Sequence, residues 1–359
     1  MKFTMSSKVN LISILSLLLL GGCLPQDEQE PLVPYGGIIG STSNSIYTHQ
    51  SFFSLPDSNE VSNNLNAAWD LGFEASPNGE HVILNNSDLL RIANLGAVDF
   101  SQTTQVPANA IWLYDASSGN YDSLAIMNWV NTIVSPFEYT QNVYILGQMG
   151  EDSIRPLKKF QLIELTPNKY RIVIGKLDNS EQDTFTIEKN PAKNFVKVSI
   201  RNNFDIVPIE PTSDDWDILF TQYEDSIPDD YGVLYPYVLR GTFINHSKIK
   251  VAYYYISTNE VPANPDDPNR ESGELKAYFE GNSIKPAADS AYTSEWDAIG
   301  WKWKKVTIDE AANTAIYKVD TRRIYLIKDL LNGTEYKLRF FSYYSNGVVG
   351  YPVFQYIRM

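Results

Sequence analysis

Three imidazoles, His49, His81 and His246, and one cysteine, Cys23, are the strongest soft metal donors in this 359-residue chain. Any imidazole bond to a metal ion must come from those three histidines. His81 heads the apolar run His81-Val82-Ile83-Leu84, His246 follows Phe243-Ile244-Asn245 in a turn, and His49 precedes Ser51-Phe52-Phe53-Ser54-Leu55. Each also reads as an ordinary, partly exposed histidine. Met127 adds a thioether two residues before Trp129 and reads equally as a packing side chain; Met149 lies in a turn beyond the next strand. Asp229-Asp230 and Asp266-Asp267 lack the alternating acidic register of a tight calcium loop. No Gly-x-Ser-x-Gly, His-Glu-x-x-His, phosphate-cradling glycine loop or cysteine pair occurs. The chemistry on offer is therefore that of holding a ligand, and the expectation is a binding protein rather than an enzyme.

The elements that position these residues are written twice. Trp69-Asp70-Leu71-Gly72-Phe73 returns as Trp216-Asp217-Ile218-Leu219-Phe220. Each copy leads to a Tyr-centred run, Val143-Tyr144-Ile145-Leu146 and Ile324-Tyr325-Leu326-Ile327, and then to a lysine-bearing strand around Lys158-Lys159 and around Lys337. In an alternating strand Trp and the Phe four residues on share a face, so both are expected in the core, with Asp turned away to accept backbone N–H bonds. Two Asp for acid–base work would have to converge, and nothing in the spacing requires that.

Short alternating apolar runs bounded by Pro, Gly, Asn and Asp dominate, as in Tyr170-Arg171-Ile172-Val173-Ile174 and Val251-Ala252-Tyr253-Tyr254-Tyr255-Ile256. The 23 Tyr favour sheet, since most lie inside such runs. The fold class expected is all-β, two related antiparallel modules over residues 46–180 and 181–359, with Asp309–Ala315 as a short helix or loop turn.

Lys2 and Lys8, an apolar stretch from Leu11 to Leu20 and then Gly21-Gly22-Cys23 form a secretion signal over residues 1–22. The lone Cys23 resembles the lipidated cysteine of a bacterial lipobox. Residues 23–45, acidic at first and including Gly36-Gly37-Ile38-Ile39-Gly40, read as a flexible tether. The acidic patch behind Cys23 resembles the export tether of surface lipoproteins; a plain spacer is the other reading. Expected localisation is the outer membrane, lipid-anchored and exposed at the cell surface. The net charge is −14, and cleavage after residue 22 removes two lysines, leaving −16. Such a surface excludes nucleic-acid binding and leaves the acyl chain as the membrane contact.

The strand Ser-Phe-Phe-Ser-Leu, the Trp-Asp segments and the C-terminal hairpin from Ile324 through Asn332-Gly333 and Tyr336-Lys337-Leu338-Arg339-Phe340 to Tyr356 resemble the HmuY family of haem-binding lipoproteins. The resemblance implies an all-β, lipid-anchored protein that takes up haem as cofactor or cargo for iron acquisition and hands it to a TonB-dependent outer-membrane receptor. Family members ligate iron through paired His or Met on loops before the Tyr-centred strand. Here the second-half loop offers neither, whereas the first half has Met127, so Met127, His81, His246 and His49 are the haem-ligand candidates. A docking partner of such a transporter that binds no haem is the alternative.

Overall fold

The computed structural model describes residues 36–148, 156–201, 204–228, 231–263, 271–309 and 314–359. Cys23, Met149 and the Asp229-Asp230 and Asp266-Asp267 pairs lie outside them. Strand makes up 47% and helix 8%, with several antiparallel sheets and no closed barrel among the described residues. The all-β expectation holds, and the reason is local: runs such as Lys169–Lys176 alternate buried and half-buried positions along their length.

Two sandwiches result. In the first, a sheet in the order Asp183–Glu188, Lys169–Lys176, Lys158–Leu165, Val143–Gln148, Leu90–Asn94, Trp112–Leu113 faces Asp205–Ile206, Phe195–Ser199, Leu71–Glu74 and Val82–Leu84. Phe73, Tyr144, Phe160 and Tyr170 fill the core. In the second, Ile38–Ser41, Val348–Arg358, Glu335–Ser345, Arg323–Asp329 and Ile249–Tyr255 face Leu234–Ile244, Ile218–Pro228, His49–Ser54 and Asn59–Leu65. Phe53, Phe220, Trp303, Phe340 and Phe354 fill that core.

These two orders reveal an exchange of strands. Ile38–Ser41, His49–Ser54 and Asn59–Leu65 are the first three described strands, yet they complete the sandwich built by the C-terminal half. Asp183–Glu188, Phe195–Ser199 and Asp205–Ile206 correspond to them one for one and complete the other sandwich: Phe195 to Val198 pair with Glu74 to Leu71, as Ser51 to Phe53 pair with Phe220 to Ile218. A single turn of 3₁₀ helix, Asn66–Ala68 and Ser213–Asp215, carries the chain across each time. The lysines flagged in the two long strands are buried pins. Lys159 Nζ donates to the Phe100 and Thr103 carbonyls at 2.6 and 2.8 Å, and Lys337 Nζ to the Gly281 carbonyl at 2.5 Å.

One expectation needs correction. Ile38–Ser41, read as tether, is a strand paired with Val353 to Tyr356. Four residues are too few to show a period, and Gly40 fits because any Cβ there would meet the Phe354 ring at 2.3 Å. Of the segment read as a short helix or loop turn, Asp309, Thr314 and Ala315 lie at the ends of the paired strands Lys304–Asp309 and Thr314–Val319, and residues 310–313 lie outside the described residues. The described α-helix is Gly273–Glu280, capped by Ser272 Oγ, which accepts from Leu275 N.

Candidate functional site

Each crossing turn ends on a Trp-Asp pair, and the two pairs are bonded alike. Asp70 N donates to Val198 O at 2.7 Å and Asp217 N to Phe53 O at 2.9 Å. The Asp70 carboxylate accepts from Ile200 N at 2.6 Å and Arg201 N at 3.1 Å; that of Asp217 accepts from Leu55 N at 2.7 Å. Both acids cap the turn after an exchanged strand, as the sequence reading expected of a structural Asp. Asn85 Nδ2 and Asn245 Nδ2 donate to Trp69 O and Trp216 O at 2.7 and 2.9 Å. The two Trp side chains depart from expectation. Phe73 and Phe220 enter the sandwich cores, while Trp69 and Trp216 pack with Phe52, Ile83, Phe195 and Ile209 in a separate cluster between the sandwiches. The 3₁₀ turn breaks the strand period before Trp, so the two residues of each motif do not share a face.

The hairpin of Leu71–Glu74 and Val82–Leu84 sets His81 across from Glu74. His81 Nδ1 lies 2.6 Å from Glu74 Oε2, and the ring stacks on Tyr121 at 3.7 Å between centroids. Burial works against ionisation of Glu74, but its bonds to His81 outweigh it and hold the carboxyl below its usual range. A carboxylate at Nδ1 keeps the hydrogen there, so the lone pair of the neutral ring sits on Nε2. An antiparallel bridge between Val82 and Ile126 brings Met127 alongside His81 at the adjacent register position. Met127 is 41% exposed. Next to this pair opens a depression of about 460 Å³ bordered by Glu80, Asn128, Val130, Ile133 and Tyr139.

His246 is held differently. Its ring packs near Trp296 and Phe195, and burial pushes its pKa down to about 4 against the attraction of Glu74. Two of the three histidines thus feel one carboxylate. His246, however, borders a chamber of about 80 Å³ between the sandwiches, room for roughly two or three waters and well below the size of a pocket for a large ligand. His49 stands apart at the head of its strand, with Nδ1 2.8 Å from Thr48 Oγ1. Among the described residues no three His, Cys, Asp or Glu side chains gather to hold a metal ion, and no helix is long and apolar enough to cross a membrane.

The family model described as HmuY protein matches residues 46–202. Over that segment the chain is similar to the HmuY family. HmuY is a haem-binding family and not an enzyme family. No curated protein and no solved structure matches the chain. The HmuY segment contains His49, His81 and Met127 but not His246. It also holds Glu74 and Tyr121, which sequence reasoning missed. A signal for Glu74 existed, since the hairpin that pairs Phe73 with Val82 must set residue 74 opposite 81. Tyr121 gives none, lying in the 3₁₀ turn Tyr121–Ser123, 40 residues from its stacking partner. For a haem iron the donor set fits: a half-exposed imidazole with a carboxylate-fixed tautomer and an exposed thioether beside it.

Proposed function

We propose that the chain is a lipid-anchored surface protein that captures haem on its HmuY segment and passes it to a TonB-dependent outer-membrane transporter. His81 Nε2 is the iron donor, Glu74 orients it, and Met127 is the thioether on the same edge. When bound, haem supplies an iron centre that accepts such donors; the chain contributes a fixed imidazole lone pair and an apolar rim that includes Ile133. The observation that carries this reading is the Glu74–His81 bond within the family-matched segment, because it holds the hydrogen of the neutral ring on Nδ1 and so puts the lone pair on Nε2. Haemin titration of the acyl-free chain, followed in the Soret region, tests it. The wild type should show a saturable shift that His81→Ala removes and Met127→Leu alters. No shift in the wild type, or an unchanged shift in His81→Ala, would overturn the assignment.

A second reading is a docking protein for the transporter that binds no haem. It is favoured by the strands Ile218–Pro228 and Leu234–Ile244, which run on as an arm bearing exposed Leu234, Tyr235 and Tyr237. Recovery of a receptor from outer-membrane extract by haem-free protein, lost in Tyr235→Ser/Tyr237→Ser, would support it. Recovery that ignores those substitutions would sink it.

A further inference from the structure

The exchanged strands enclose a chamber that neither reading uses. Its walls come from both halves in matched pairs: Phe52 with Phe195, and Trp69 with Trp216, with Trp296 at one side. Phe52 meets Trp216 edge to face at 4.9 Å, and Phe195 meets Trp296 the same way at 5.6 Å. Aromatic surfaces that stand on edge around a gap accept another flat ring.

Polar groups bordering the chamber are short of partners. Gln50 Nε2, Trp69 Nε1 and Trp216 Nε1 are donors, and Asn86 Oδ1 an acceptor, with no hydrogen-bond partner among the described residues, and each belongs to a side chain at least nine-tenths buried. Such groups in a native interior call for a ligand or ordered water. The charge of the site is mixed. Lys197 Nζ sits over the Trp69 ring at 4.0 Å and 3.7 Å from Glu210, with Asp115 also at the wall. A cation entering would meet Lys197, and an anion would meet Glu210 and Asp115, so the chamber disfavours either.

We infer that this chamber is a second binding site, for a small uncharged heteroaromatic molecule that carries a hydrogen-bond acceptor. Its volume limits the guest to a single small ring, seated by a modest shift of the half-buried Trp296. The site is independent of haem capture at His81.

Calorimetric titration of the purified chain with pyrazole, read in parallel by tryptophan emission, tests the inference. We expect one saturable site and an emission change from Trp69, Trp216 and Trp296. Ala116→Phe, which fills the chamber from its wall, should abolish both while leaving the unfolding midpoint and the haemin titration unchanged. Gln50→Leu removes an unpartnered donor without changing bulk and should weaken pyrazole by about tenfold, the loss of one hydrogen bond. Benzene, without an acceptor, should bind at least about tenfold more weakly than pyrazole. Absence of saturable pyrazole binding, equal affinity in Ala116→Phe, or equal affinity for benzene each overturns the inference. If Ala116→Phe does not fold, the Gln50→Leu and benzene comparisons decide it.

Discussion

At the first Trp-Asp node the counter-charge comes from Arg201, at the end of an exchanged strand; at the second it comes from Lys248, in the turn just beyond Asn245. Arg201 Nε meets Asp70, Nη1 reaches Asp88 at 2.5 Å, and Nη2 reaches the Trp69 carbonyl at 3.2 Å. Lys248 Nζ makes a simpler pair, 2.9 Å from Asp217 and 2.7 Å from the Asp214 carbonyl. Both acids donate their own N–H to an exchanged strand and accept from the turn beyond it, Asp70 from two amides and Asp217 from one, so the cation and the second amide are what differ. What differs is reach: the guanidinium fork ties an exchanged strand, a crossing turn and a loop together, whereas the ammonium serves one turn.

That contrast sets the largest expected effect. Asp70→Ala takes the Nε partner from Arg201, which keeps Asp88, and leaves the buried Ile200 and Arg201 amides without their acceptor, and should cost about 3–5 kcal/mol. Asp217→Ala should cost about 1–2 kcal/mol less, since it leaves one amide, that of Leu55, without its acceptor and Lys248 keeps the Asp214 carbonyl. Urea unfolding of the two variants orders them. Equal losses, or a larger loss at Asp217, would mean that neither the fork nor the second amide bond adds to the node.

The repeat that frames this comparison was open to inspection in the sequence; the exchange was not. Trp69-Asp70 and Trp216-Asp217, the Tyr-centred strands and Lys159 and Lys337 announce themselves by type and spacing because each packs where its own neighbours dictate. Which sandwich Phe52-Phe53 or Phe195-Val196 completes depends on partners more than a hundred positions away, and period-two alternation is the same whichever sheet receives the strand. The Asp70 counter-charge is hidden for the same reason, lying 131 residues along the chain. At the candidate site the histidines and Met127 were visible as types. The Glu74 bond that makes His81 a defined donor needed the hairpin register, and the chamber beside His246 needed both halves.

The asparagines offer a sharper form of the comparison. Asn85 Nδ2 spans the Asn66 and Trp69 carbonyls at 2.6 and 2.7 Å, and Asn245 Nδ2 spans those of Ser213 and Trp216 at 2.6 and 2.9 Å. Each amide staples a crossing turn. Asn85→Ala and Asn245→Ala should each cost about 1–3 kcal/mol through carbonyls left unpaired, and they should match within about 0.5 kcal/mol. A loss confined to one of them would show that only one crossing turn depends on its staple.

The smallest effects separate the halves by pH. Burial pushes Asp115, in the first half, up to about 6 from 3.8, against the pull of the Ala125 and Leu84 amides. Between those two values the folded chain holds a proton that the unfolded chain has released, so this group lowers stability as pH rises through that window. Lys304, in the second half, is buried over the Trp303 ring at 4.1 Å with its Nζ on the Arg240 carbonyl, and burial brings it down to about 7 from 10.5. There the unfolded chain holds the extra proton, so stability rises from pH 7 upward. Asp115→Asn should flatten the acid limb and Lys304→Met the alkaline limb in unfolding free energies measured from pH 4 to 10. If Lys304→Met leaves the alkaline limb as steep as in the wild type, the ammonium is not the group that the aromatic wall desolvates, and the charge asymmetry between the two halves must lie elsewhere.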